Sequence, residues 1–158
     1  MRRVLAVTLA IAAQGCIALP PTSAERLNQA AFELNSATRF GRMDVASDSV
    51  ATEARADFGK RHRRWGRDIR IVDIEVEGVD MSSTETAQVD LMVNWHRIDD
   101  PTIQSTSVAQ RWVQSISDWR LAEETIVSGS KGLFPTKSKE KDAPAAKRSE
   151  LVGSVDLP

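Results

Sequence analysis

The second half of the chain alternates apolar and polar residues over several consecutive stretches, and this pattern limits the fold more than any other feature. Successive side chains of a β-strand point to opposite faces, so each stretch predicts a strand with one buried face. Short turn sequences at residues 99–102 and 115–118 separate the stretches and predict antiparallel hairpins. The predicted inward residues include Val72, Ile74 and Val76 in a first strand and Ala87, Val89, Leu91, Val93 and Trp95 in a second. Two further strands are predicted within residues 103–116 and 119–127.

The same pattern predicts how the strands pair, because a slip of one residue would turn every apolar side chain outward. A four-residue turn at residues 99–102 and a two-residue turn at residues 116–117 keep the apolar residues on one face. The predicted opposing pairs are Leu91 and Gln110, Trp95 and Thr106, Trp112 and Leu121, Gln114 and Trp119, and Gln110 and Glu123.

The first part of the chain has helical spacing instead. Ser23 is a predicted N-cap, and apolar residues recur every three or four positions from Leu27 until Gly41 breaks the pattern. A second helical stretch follows from about Asp44 to the basic sequence before Gly66. This order predicts an α+β fold in which two or three N-terminal helices pack on a curved antiparallel sheet of about four strands, as a cone-like roll.

The amino terminus has the pattern of an export signal. Arginines at positions 2 and 3 precede a run of ten apolar and small residues, which is too short to span a bilayer. The sequence "AAQGC" then resembles the lipobox of bacterial lipoproteins, with Gly15 before the cleavage site and Cys16 as the lipidated residue. In that family the cysteine carries a diacylglycerol and the new amino terminus is usually acylated, and two or more acyl chains anchor a protein stably. The alternative is an ordinary signal peptide followed by an incidental cysteine.

The lipobox resemblance implies a signal peptide at residues 1–15 and a mature chain that begins at Cys16. We then expect a tether at residues 16–23 and, over the helical and strand patterns, a domain at residues 24–134. Ile17 rather than aspartate follows the cysteine, which by the same resemblance favours the outer membrane, with the domain in the periplasm. Residues 135–158 are charged, rich in Pro and Ala and poor in apolar residues, so they are predicted to form a disordered tail.

The helices followed by long strands, with the final hairpin "QRWVQSISDWRL", resemble the nuclear transport factor 2-like (SnoaL-like) superfamily. Many bacterial members carry a tryptophan on each side of that turn, as Trp112 and Trp119 do here. The resemblance implies a sheet curled around a cavity that the helices close. It does not imply an activity, because the same scaffold holds isomerases, dehydratases, cyclases and binding domains. The ketosteroid isomerases of this group use a tyrosine, and this chain has none.

Candidate pocket residues lie on the inward face of the last hairpin. In the predicted register Gln110 faces Glu123, close to Trp95, Trp112 and Trp119. A carboxylate with apolar neighbours can act as a general acid or base. The alternative, which we favour, is a polar pair at the margin of the sheet. Both histidines of the chain, His62 and His96, are predicted to lie on the surface.

The densest positive charge lies in the sequence "KRHRRWGR", and its cations are Lys60, Arg61, Arg63, Arg64 and Arg67. Cations at a helix C-terminus complement the helix dipole, which explains some of them. The alternative is a surface patch for an anionic partner, either lipid headgroups or an acidic envelope protein. The net charge of −1 gives no reason to expect nucleic acid.

These observations favour a non-enzymatic lipoprotein that binds an apolar small molecule or an envelope protein. The single cysteine and two histidines give no metal-ligand spacing, and no phosphate-binding or esterase motif is present, so no cofactor is predicted. The alternative is a small pocket enzyme of the dehydratase, isomerase or cyclase type that uses Glu123.

Overall fold

In a computed structural model of the chain, the structure describes residues 20–81, 83–116 and 118–135. Three helices precede four strands that pair in chain order as one antiparallel sheet. The helices are α1 (Ser23–Arg39), α2 (Met43–Asp48) and α3 (Arg55–His62). The strands are β1 (Ile69–Asp80), β2 (Thr86–Arg97), β3 (Asp100–Gln114) and β4 (Trp119–Gly129). The predicted α+β arrangement, with N-terminal helices packed on a four-stranded antiparallel sheet, is confirmed.

The N-cap of helix α1 lies one residue before the predicted cap, Ser23. The N-cap is Thr22, whose side chain accepts a hydrogen bond from the Glu25 backbone N–H, while the Glu25 carboxylate accepts one from the Thr22 backbone N–H. This reciprocal pair satisfies two of the free N–H groups at the helix start. The helix then buries a face at i, i+4 and i+7 spacing, formed by Leu27, Ala31, Leu34 and Thr38.

The single helical stretch predicted after Gly41 is wrong, since the chain forms two short helices, α2 and α3. Between them it runs beside the start of β4 and exchanges backbone hydrogen bonds with it. The Ala51 N–H donates to the Leu121 carbonyl at 2.8 Å, and the Leu121 N–H donates to the Ser49 carbonyl at 2.9 Å. These bonds satisfy backbone groups at the edge of the sheet, which a continuous helix would leave open.

The last hairpin pairs as predicted near its turn and differs further along. Trp112 lies opposite Leu121 and Gln114 opposite Trp119, which confirms both pairs. A register shift at Arg111/Trp112 then places one extra β4 residue in the ladder. Such a bulge reverses which side chains face inward beyond it. As a result Gln110 lies opposite Glu124, and the predicted pairing of Gln110 with Glu123 is wrong.

The β2–β3 hairpin is displaced by two residues from the predicted register. Leu91 lies opposite Val108 rather than Gln110, and Trp95 lies opposite Gln104 rather than Thr106. The ladder continues to Arg97 and Asp100, so the turn is shorter than the four residues predicted. A shift of two residues keeps every side chain on its face, which is why the apolar pattern could not detect it.

The predicted inward face of β1 is wrong in part. Val72 and Val76 are exposed, whereas Ile69 and Ile71 are buried. Register shifts at Ile71/Asp73 and Val76/Gly78 interrupt the pairing of β1 with β2, so the strand does not keep one face inward along its length.

Three tryptophans fill the space between the sheet and the helices. Trp95, Trp112 and Trp119 are each at most 2% exposed and belong to one core with Leu27 and Leu34 of α1. The Trp119 indole N–H donates to the Ser23 carbonyl at 3.0 Å, and the Trp95 N–H donates to the Thr106 hydroxyl at 3.0 Å. The interior is therefore occupied by large side chains that fix the helices to the sheet.

Candidate functional site

A chain of four polar side chains crosses the core from α1 to α3. Asn35 and Gln110 exchange two amide hydrogen bonds, at 3.0 and 3.3 Å. The Gln110 amide nitrogen also donates to Glu124 Oε1 at 3.0 Å, and Glu124 Oε2 lies 3.4 Å from His62 Nε2. All four residues are at least nine-tenths buried. Buried polar groups are costly unless they are paired, so this chain of contacts fixes α1, β3, β4 and α3 relative to one another.

The hydrogen bond on the other side of the His62 ring determines where its proton lies. His62 Nδ1 is 2.9 Å from the carbonyl oxygen of Phe58. A carbonyl only accepts, so Nδ1 carries a hydrogen and donates it. In a neutral ring with its hydrogen on Nδ1, Nε2 has no hydrogen and its lone pair faces the Glu124 carboxylate. The 3.4 Å contact between His62 Nε2 and Glu124 Oε2 is the closest polar contact of either atom among the described residues.

Aromatic rings enclose His62. The ring centroids of Phe58 and Trp65 lie 4.1 and 4.4 Å from the imidazole, and that of Phe134 lies 5.1 Å away. Trp65 and Phe134 stack on each other, and the Trp65 indole N–H donates to the Leu133 carbonyl at 3.2 Å. These apolar walls exclude water from the imidazole and strengthen its interaction with Glu124.

An open cleft lies between α3 and β4, and Glu124 forms part of its wall. Its volume is about 270 Å³, and both Glu123 and Glu124 contribute to its wall. Glu53 and Asp57 add two further carboxylates, and Arg61 lies with its guanidinium 4.3 Å from the centre of the Phe134 ring. The Glu124 carboxylate is 6% exposed and its Oε1 accepts the hydrogen bond from Gln110, so the cleft reaches little of it.

The structure does not place Glu123 in the core. Its side chain is 60% exposed and pairs with Arg111 at 3.3 Å on the outer face of the sheet. The bulge beside Trp112 accounts for the change, because it moves Glu124 into the inward position. Gln110, Trp95, Trp112 and Trp119 do lie inside, as the sequence predicts.

The two histidines differ in position. His96 is half-buried on β2, and its Nδ1 lies 2.7 Å from the Arg97 carbonyl. His62 is 1% exposed, so its predicted surface position is wrong. The spacing of Phe58 and His62 at i and i+4, on one face of a helix, is the sequence signal that could have placed the imidazole inward.

The predicted basic patch is accessible around the buried His62. Lys60, Arg63 and Arg67 are exposed, and Arg61 and Arg64 are half-buried. Arg64 pairs with Asp68 at 3.2 Å. The predicted lipid-attachment residue, Cys16, lies outside the described residues, as do the predicted signal peptide and all but the first residue of the predicted tail.

Two further findings concern the described part of the chain. It contains no group of three or more His, Cys, Asp or Glu side chains arranged to hold a metal ion. Within the same residues, no helix combines the length and apolar character needed to cross a membrane.

No known protein family and no curated protein matches this chain. Among solved structures it is similar to a SEC-C motif containing protein from Rhodopseudomonas palustris, at 16% identity over 59% of this chain and 72% of that chain, with a TM-score of 0.49. A conserved protein from Planctomyces limnophilus is similar at 12% identity over 63% of this chain and 90% of that chain, with a TM-score of 0.46. At these levels the two structures carry no argument about function.

Proposed function

We propose that this chain is a lipid-anchored envelope protein whose folded domain binds a partner and does not catalyse a reaction. The observation that carries the non-enzymatic part is the engagement of the buried carboxylate. Glu124 accepts a hydrogen bond from Gln110 on one oxygen and faces His62 with the other. A general acid or base must be accessible to the reacting group, and little of this carboxylate is accessible.

The filled interior supports the same proposal. An apolar small molecule would need a cavity, and the side chains of Trp95, Trp112 and Trp119 occupy the space in which the sequence resemblance places one. A protein partner needs only a surface, so we favour an envelope protein over an apolar ligand. The alternative of a pocket enzyme loses its proposed residue, because Glu123 is exposed and paired with Arg111.

The anchor part of the proposal rests on the sequence "AAQGC" alone. If Cys16 is acylated and exported with the domain, the protein is held at a membrane by at least two acyl chains, which bind far more stably than one. The residue after the cysteine favours the outer membrane.

A labelling experiment tests the anchor directly. Cells that express the full-length protein are fed an alkyne fatty acid, and the protein is followed through membrane fractionation. We expect label and membrane association for the wild type and for Gln14→Ala, which keeps the cysteine. Cys16→Ser should lose both. A wild type without label, or a processed Cys16→Ser protein that still sediments with membranes, would show that the anchor proposal is wrong.

A further inference from the structure

The start of the described chain lies at one end of the sheet. Ser23 is held there by the hydrogen bond from Trp119, the first residue of β4. The β3–β4 turn closes beside it, where the Ser115 N–H donates to the Asp118 carbonyl at 2.7 Å. We call this the tether end, because residues 16–22 would connect it to an acylated Cys16.

The basic sequence meets the sheet at the opposite end. There the Ile98 N–H donates to the Asp68 carbonyl at 3.0 Å, and Ile69 pairs with Arg97. Strand β2 joins the two ends through 12 residues. At the usual rise of a strand its ends are separated by roughly 35 Å. We call the second end, formed by residues 63–70 and 97–100, the distal end.

The distal end carries an excess of positive charge. It contains five Arg side chains and three Asp side chains, whereas the whole chain has a net charge of −1. Arg64 and Arg97 pair locally with Asp68 and Asp99. The remaining cations of this end are exposed and form no ion pair with any residue the structure describes; they are Arg63, Arg67 and Arg70.

The composition of this end favours a protein as the partner. All five of its cations are arginines, and Ile98 and Ile103 in the adjoining chain are 54% and 55% exposed. Arginine is enriched in protein interfaces, in which lysine is depleted, and the fully buried core of an interface is more apolar than the surrounding surface. The three Asp carboxylates among the cations would repel a uniformly anionic lipid surface. The only aromatic residue of the basic sequence, Trp65, is buried, so no base-stacking platform is present among these residues.

We propose that the distal end binds an acidic protein surface on the side of the domain that faces away from the membrane. The direction of this surface rests on the proposed lipid anchor, whereas the binding itself does not. Arginine forks pair with carboxylates in a bidentate geometry, and the exposed isoleucines add apolar contact. Lipid headgroups of the membrane that holds the anchor lie at the other end and are not the partner.

Binding is tested with poly-L-glutamate as an acidic polypeptide and with phosphatidylcholine vesicles that contain phosphatidylglycerol as an anionic lipid surface. The distal variant is Arg63→Gln with Arg67→Gln. Its control, Arg111→Gln with Arg120→Gln, removes the same charge on β3 and β4. We expect the distal variant to bind poly-L-glutamate about tenfold more weakly than the wild type, and the control to bind within about twofold.

Three results would overturn the proposal. They are equal weakening in both variants, no binding of poly-L-glutamate at low salt, and binding of the vesicles in preference to poly-L-glutamate. Circular dichroism of each variant checks that it is folded. The direction is measured separately on the acylated protein in vesicles, by lipid quenching of a fluorophore at Ile98→Cys and at Ser115→Cys. Quenching should be stronger at position 115. A protein that does not join the vesicles at all contradicts the anchor but leaves the poly-L-glutamate result intact.

Discussion

Glu124 Oε2 lies 3.4 Å from His62 Nε2 inside the core, and this contact joins the last strand to the last helix. Neither atom is exposed, and neither makes a regular hydrogen bond to any other residue that the structure describes. These two atoms therefore depend on each other for electrostatic stabilisation, whereas Glu124 Oε1 and His62 Nδ1 have partners of their own.

Removing one member of this pair should destabilise the protein strongly. Glu124→Ala removes the carboxylate that faces the buried imidazole and accepts from the Gln110 amide, and we expect the free energy of unfolding to fall by about 3–5 kcal/mol. Glu123→Ala is the matched control, because the neighbouring carboxylate is exposed, and it should cost less than about 1 kcal/mol. Urea unfolding of both variants measures the difference. Similar losses in the two would mean that the inward residue of β4 has been misassigned.

The protonation of His62 can be observed by NMR. Because Nδ1 donates to the Phe58 carbonyl, we expect this nitrogen to carry a slowly exchanging hydrogen in the folded protein. In Glu124→Gln the side-chain amide can donate to Nε2 of a ring that carries its hydrogen on Nδ1 alone. Nitrogen-15 chemical shifts of the ring distinguish these states. A wild-type ring protonated on Nε2 alone would contradict the assignment.

The start of α1 should respond to acid. Hydrogen bonds from the backbone and then the side chain of Thr22 hold the pKa of the Glu25 carboxyl below its ordinary value of 4.5. The contribution of Glu25 to stability is therefore present above that value and is lost as the pH falls through the lowered pKa of the folded state. Thr22→Ala removes the cap and should cost about 1 kcal/mol at neutral pH. The pH dependence of unfolding for the wild type and Glu25→Gln isolates the effect, and parallel curves below pH 4.5 would contradict it.

Two glycines with positive φ should differ in their tolerance of alanine. Gly41 and Gly129 have φ values of +72° and +97°. A Cβ at Gly41 would meet no atom within 4 Å, so Gly41→Ala pays only the backbone cost of about 1–2 kcal/mol. A Cβ at Gly129 would press on the Ser105 carbonyl and lie 2.9 Å from the Thr106 Cα. We expect Gly129→Ala to cost about 1–3 kcal/mol more, measured by thermal unfolding. Equal costs would show that β3 yields at this contact.

The apolar pattern predicts the class of fold and the order of its elements, because burial of one face acts on every residue of a strand. It also predicts the pair of Trp112 and Leu121, which lies close to a short turn. It could not predict the two-residue displacement of Leu91, since that shift leaves each side chain on the same face.

The candidate site was harder to predict than the fold. Gln110 could be placed inward by alternation, whereas its partner depended on the bulge beyond Trp112, for which the sequence has no separate signal. His62 was predicted to lie on the surface because its neighbours in the sequence are charged. The i, i+4 spacing of Phe58 and His62 is a local sequence pattern. Phe134, whose ring also contacts the imidazole, follows β4 and is distant in sequence.

The hydrogen bond between Trp119 and Ser23 spans 96 positions of sequence, whereas the strands of the sheet pair only with their neighbours in the chain. Each hairpin can therefore form soon after its second strand has been synthesised. Helix α1 is synthesised before the strands, and its contact with the Trp119 indole can form only after β4 has been synthesised. The sheet can assemble progressively during synthesis, but the core closes only when the last strand has arrived.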